Sequence, residues 1–142
     1  MRQNTKTIFG GMTTNVSSVT AEFDTVGFSF AKIVHIGNGT ALANAASGGI
    51  VIVESDTSGG TTNTITGYVQ GTDFTPSTVT TVNTSLAKAI VNIDLRGRKR
   101  YLKATFVSSA TTAVHATYCE LSSPSDGVDS VAAGGAVNGV GF

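Results

Sequence analysis

The chain has 142 residues, enough for one domain with a real core. Charged residues make up only 13%, and nine Lys and Arg balance nine Asp and Glu. A neutral chain excludes general attraction to nucleic acid or to an anionic membrane, and a sparsely charged surface favours association. With 17 Gly, two Pro and an abundance of Thr, Ser and Val, the composition excludes a helical protein and predicts an all-β fold.

Residues 1–22 are polar, with Gly10-Gly11 as a hinge and isolated Ile8, Phe9, Met12, Val16 and Val19. They read as an extended N-terminal arm with room for one edge strand, or as a disordered terminus. Met1 to Asn15 holds no apolar segment of the signal-peptide kind, and no apolar run approaches the roughly 18 residues of a membrane span. A soluble protein made in a cytoplasm, without a membrane partner, is therefore expected.

Val26 to Ile36 alternates. Val26, Phe28, Phe30, Val34 and Ile36 fall on one face, and Gly27, Ser29, Ala31, Ile33 and His35 on the other. This predicts a half-buried strand with the first set as its apolar face. Lys32 interrupts that face and suggests a sheet edge or rim. Ala41 to Ser47 has the composition for one helical turn, stopped by Gly48-Gly49. Ile50 to Glu54 reads as a buried strand, Ser55 to Gly60 as a turn, and Thr64 to Gln70 as the strand that completes a hairpin. Gly71-Thr72-Asp73 and Pro76 mark a loop, and Val79 to Val82 a short strand. Three stronger strands follow: Lys88 to Leu95, Tyr101 to Val107 and Ala113 to Leu121. Short strands joined by small loops predict a single antiparallel β-sandwich, jelly-roll-like, over residues 23–121. Residues 122–142 form a Gly/Ala-rich C-terminal tail without periodicity, either flexible or ordered only against a partner.

Reaction chemistry is thinly represented. His35 and His115 both fall on strands without metal-ligand spacing, and read as half-buried strand residues. The lone Cys119 excludes an intramolecular disulfide and reads as a buried thiol. There is no GxSxG nucleophile elbow. Glu54 and Asp56 flank a hairpin tip, and Asp126-Gly127-Val128-Asp129 reads as a solvated loop rather than a calcium site. No catalytic, metal or cofactor residue is assigned, and no enzyme is expected.

Five of the nine Lys and Arg residues lie in one window, Asp94-Leu95-Arg96-Gly97-Arg98-Lys99-Arg100-Tyr101-Leu102-Lys103. In an extended strand Arg96, Arg98 and Arg100 would share one face, and Lys99, Tyr101 and Lys103 the other, unless Gly97 makes a turn that resets the register. Three readings stand open. Arg96, Arg98, Lys99, Arg100 and Lys103 form a docking patch for an acidic surface, or a solvated hairpin that keeps a sheet edge from aggregating. A nucleic-acid site is the third, weakened because Tyr101 is the one adjacent aromatic.

The run Ile50-Val51-Ile52-Val53-Glu54-Ser55-Asp56-Thr57-Ser58-Gly59-Gly60, followed by Ile90 to Lys103, resembles a group of small structural proteins of tailed bacteriophages. In these an acidic turn precedes a strand signature close to D-x-R-x-x-x-R-Y-L-(K/R). The similarity spans about residues 24–121. It implies a β-sandwich that binds the outside of the head as a decoration or cement protein, with the major capsid protein and further copies of itself as partners. It also implies a dimer or trimer at a symmetry axis, and a place on the capsid exterior after assembly in the host cytoplasm. The rival expectation is a tail or fibre protein that binds host surface glycans.

Overall fold

Alternating Thr, Val, Ile and Ala build eight strands and, among the described residues, no helix. The computed structural model describes residues 4–38, 49–74, 86–107 and 113–123. The strands are β1 (Asn4–Val16), β2 (Ser18–Asp24), β3 (Phe30–Asn38), β4 (Ile50–Ser55), β5 (Asn63–Val69), β6 (Leu86–Asp94), β7 (Tyr101–Val107) and β8 (Ala113–Ser123). They form two antiparallel four-stranded sheets, one in the order β1-β8-β3-β6 and the other β2-β7-β4-β5. Only β4 and β5 are consecutive in sequence and adjacent in one sheet, so the hairpin expected over residues 50–70 is present.

The sheets share one core. Each strand sends alternate side chains into it: Val19, Ala21 and Phe23 from β2, Ala31 and Ile33 from β3, Ala89, Val91 and Ile93 from β6. Leu102, Ala104 and Phe106 come from β7, and Cys119 and Leu121 from β8. β7 shows the pattern most plainly, with every second residue buried along its length. Two contacts tie the layers directly. The His35 ring of β3 stacks on Phe106 of β7 at 4.0 Å between centroids, and Tyr68 of β5 donates a hydrogen bond to the Asn92 carbonyl of β6 at 2.8 Å.

The sequence misplaces two parts of this arrangement. The segment expected as an arm is strand from Asn4 to Val16 and again from Ser18 onward. β1 is a full edge strand paired with β8 from Asn4↔Ser123 to Val16↔Ala113, and β2 pairs with β7 in the other sheet. Its few apolar residues suffice because β1 needs only one neighbour and one buried face. The second concerns β3. Of the expected apolar face, Phe30, Val34 and Ile36 lie on the side of β3 away from the core, where Val34 is nevertheless buried, and Phe28 ahead of the strand packs against the core; Ala31, Ile33 and His35 face the core and are fully buried. The smaller set lies inward because Phe23 and Phe106 already fill the space between the sheets. Nor does Lys32 mark an edge, since β3 lies between β8 and β6. The helical turn at 41–47, Pro76, the short strand at 79–82, the Asp126–Asp129 loop and the tail beyond Ser123 fall outside the described residues.

Gly10 fixes how β1 lies over β2. The register of β1 against β8 slips between Phe9 and Gly11, and Gly10 is the extra residue of this bulge. A Cβ at Gly10 would meet Ala21 Cβ at 2.7 Å and the Phe23 ring at 2.9 Å, closer than side chains approach. Gly10→Ala is therefore expected to lower unfolding stability by about 1–3 kcal/mol through overpacking, measured by urea titration. Thr7→Ala on the exposed face of the same strand should stay within about 0.5 kcal/mol of wild type.

Candidate functional site

Gly97 takes a left-handed backbone, φ +77°, and the Arg98 N–H donates to the Leu95 carbonyl at 3.0 Å. The chain turns here, so Arg96, Arg98 and Arg100 do not share a strand face. Each of the five cations instead meets a carboxylate of its own chain. Arg100 donates twice to Asp24, at 2.9 and 2.7 Å. Lys99 Nζ donates to Asp56 at 2.6 Å, and the Lys99 backbone N–H to Glu54 at 3.2 Å. Arg98 stands 3.8 Å from Glu54, and Lys103 is 3.7 Å from Glu22. Arg96 grips Asp94 two residues back through Nε at 2.9 and 3.0 Å. Glu22 also accepts from the Ser58 hydroxyl at 2.6 Å and the Gly59 N–H at 3.1 Å.

These contacts join the β6–β7 turn to β2 and to the β4–β5 turn. The turn after β2 is fastened to the same place, because the Thr25 N–H and hydroxyl both donate to the Arg100 carbonyl. The hydrogen bonds from Arg100 hold the Asp24 carboxyl down to about 2, against a smaller opposing effect of burial. The cluster thus works as a charged clamp across one end of the molecule. An acidic partner arriving there would have to displace carboxylates already in place.

His35 and His115 are fully buried, deeper than their strand positions suggest in sequence. His35 Nδ1 lies 2.8 Å from the Thr117 hydroxyl, and His35 Nε2 lies 3.2 Å from His115 Nδ1. Burial, with His115 alongside, holds the His35 imidazole down to about 3. Burial also lowers His115, partly offset by the Val16 carbonyl. Both rings are therefore neutral at neutral pH. Burial pushes the Cys119 thiol up to about 12, so it is not a thiolate. Among the described residues, no three His, Cys, Asp or Glu side chains converge as metal ligands would.

The outer faces of the two sheets differ in kind. On β2-β7-β4 the outward residues pair as Thr20 with Thr105, at 3.1 Å between hydroxyls, then Glu22 with Lys103 and Asp24 with Arg100. On β1-β8-β3-β6 the register aligns Phe9, Tyr118, Val34 and Ile90 in one row across all four strands. The next row holds Met12, Ala116, Ile36 and Lys88. One row the other way, Lys32 donates to Glu120 at 2.9 Å and closes the apolar stripe. Val34 at the centre of the stripe is buried, and exposure is confined largely to the β1 edge, where Phe9 is 68% and Met12 65% exposed. No such stripe is visible along the chain, since its members come from four separate strands. Its one local signal is that β3 carries apolar residues on both faces.

No protein family, curated protein or solved structure matches this chain.

Two outcomes are expected from the clamp and the histidines. Glu22→Ala should speed hydrogen exchange at the Gly59 amide, which loses its acceptor, whereas Arg96→Ala should leave the urea midpoint unchanged because that pair spans only two residues. The buried imidazoles titrate below their unfolded value near 6.5, so the unfolded chain takes up protons first as pH falls. Stability is thus full above about pH 6.5 and declines toward pH 3. Between pH 7 and 4.5 His35 alone accounts for a loss of about 3 kcal/mol. Asp24 adds a loss of the same sign below about pH 4. Urea titrations at the two pH values check this, and His35→Gln should remove most of the difference.

Proposed function

We propose that this is a non-enzymatic virion structural protein with a jelly-roll β-sandwich, a cement protein that covers and stabilises the outside of a phage head. The observation that carries this reading is the strand pairing. β1 pairs with β8, β2 with β7, β3 with β6 and β4 with β5. That is the set of partners produced when one long antiparallel ribbon, folded at the β4–β5 turn, is wound into two sheets. The winding then adds β3 beside β8 and β4 beside β7. Eight-stranded jelly rolls recur in viral capsid proteins and in lectins. The step from fold to virion is by analogy, and the resemblance of residues 24–121 to phage head proteins supports it.

The geometry also supports a protein whose task is to dock. A sheet with one side in the core ordinarily keeps its other side polar. Here the outer face of β1-β8-β3-β6 carries an apolar row whose centre, Val34, is buried, and its exposed part, Phe9 and Met12 on β1, is of the kind that marks a contact. The major capsid protein is the proposed partner, with burial of apolar area supplying affinity.

Co-sedimentation with heads of the parent virus that lack the protein tests this. Saturable, stoichiometric binding that survives high salt is expected, because apolar burial is not screened. Binding only to tails or to host cells would overturn the cement reading and favour the glycan-binding one.

A further inference from the structure

We propose that the His35–His115 pair is an acid-operated catch for β1, and that the Gly11–Val16 half of β1 lifts from β8 when the pair takes up a proton. Met12 lies in that half and Phe9 borders it, so acid would also loosen the contact proposed above. That consequence rests on the cement reading, whereas the catch itself does not.

The two rings lie directly under β1. His115 of β8 shares one rung with Thr13 of β1 and Gly37 of β3, and His35 of β3 shares one with Thr117 of β8. Gly37 makes room for the pair, since a Cβ there would meet His35 Nε2 at 3.2 Å and His115 Nδ1 at 3.5 Å. The Thr117 hydroxyl occupies His35 Nδ1, and His35 Nε2 and His115 Nδ1 occupy each other. The remaining ring nitrogen, His115 Nε2, is buried with no hydrogen-bond partner. So is Thr13 Oγ1, opposite it in β1.

Neutral rings tolerate this gap and a charged pair does not. Two neutral imidazoles carry two N–H groups and two lone pairs, so a lone pair can be left at His115 Nε2. With one more proton the pair carries three N–H groups, and its one remaining lone pair is needed between the rings. An N–H then stands at His115 Nε2 without an acceptor, in a cation held away from water. Nothing nearby offsets that charge. The facing row of the other sheet is Val19, Phe106 and Ile50, Ala89 lies beside His35 on β6, and Cys119 further along β8 stays a neutral thiol. Among the described residues, no carboxylate acts on either ring. The group that favours a proton on His115 is the Val16 carbonyl of β1. Reaching it fully, or reaching water, means moving β1.

β1 is also the strand that can give way. β8 and β3 are each held on both sides, whereas β1 has β8 alone. Its ladder is interrupted at Phe9/Gly11 and at Thr14/Val16, on either side of the Thr13–His115 rung. Opening this half wets His115 while the inner strands of both sheets stay paired. Acid therefore acts on one edge strand before it acts on the whole fold.

Amide hydrogen exchange of the full chain at pH 7 and pH 5, each in low concentrations of urea and corrected for the intrinsic effect of pH, tests the proposal. The β1 amides from Gly11 to Val16 should open at least about tenfold more often at pH 5, because a wetted ring regains a value near 6.5. That opening should depend only weakly on urea, as a local event does, while β7 amides from Leu102 to Phe106 show the steep dependence of global unfolding. His115→Gln should lose most of the pH-dependent rise in β1. Opening of β1 that is unchanged by pH, that is as steep in urea as β7, or that rises equally in His115→Gln would overturn the proposal. The two wild-type criteria decide the matter even where that variant does not fold. Co-sedimentation with heads at both pH values separates the catch from the cement reading. A chain whose β1 opens in acid but which ignores heads at pH 7 would overturn the cement reading and leave the catch standing. A chain that binds heads while β1 stays equally protected at both pH values would do the reverse.

Discussion

Everything in this fold depends on the first strand finding the last. β1 and β8 are joined from Asn4↔Ser123 to Val16↔Ala113, and each further pair nests inside that one down to the β4–β5 turn. Every other connection crosses between the sheets. The two halves of the core are therefore brought together by contacts between residues far apart in sequence, which makes folding slow and cooperative. Gly10 is the local form of this constraint. β1 closes over Phe23 only because nothing projects from the bulge between them.

Given that closure, the molecule has two ends and two outer faces to dispose of, and it treats them differently. The end that gathers the turns after β2, β4 and β6 is held by carboxylate–cation pairs. Most are partly exposed, and their individual contributions to stability are modest. Their value is positional: Glu22, Glu54, Asp56 and Asp24 each tie the β6–β7 turn or the start of β7 to a different part of the sheet that β7 belongs to. The same pairing leaves the concentrated positive charge with little to offer a partner. The face of β1-β8-β3-β6 carries the opposite disposition, with little charge and an apolar stripe that runs out to an edge.

The sequence was informative where a single strand carries the signal. Tyr101 to Val107 alternates so regularly that strand, burial and facing are readable at once, and the hairpin at residues 50–70 is punctuated by its own turn residues. It failed where the deciding partner is remote. Asn4 to Val16 looks polar and unanchored in isolation, and β8 supplies its partner about a hundred residues later. β3 carries apolar residues on both faces, so the sequence alone points the larger set to the core, whereas Phe23 and Phe106 leave space only for the smaller set and for His35. The basic window was conspicuous because five cations are adjacent in sequence. Its carboxylates come from β2, the end of β4, the β4–β5 turn and Asp94, so neutralisation is hidden in the sequence. Phe9, Tyr118, Val34 and Ile90 are aligned only by register.

The most direct test of whether the apolar face is the surface this protein uses is hydroxyl-radical footprinting of the chain, free and dilute against mixed with the heads on which the proposed cement role would place it. Loss of labelling at Phe9, Met12 and Tyr118 on assembly, with the β6–β7 turn labelled as before, is the expected result. Unchanged labelling at Met12 together with new protection around Arg98 to Lys103 would contradict it and return the charged end to the role of docking site.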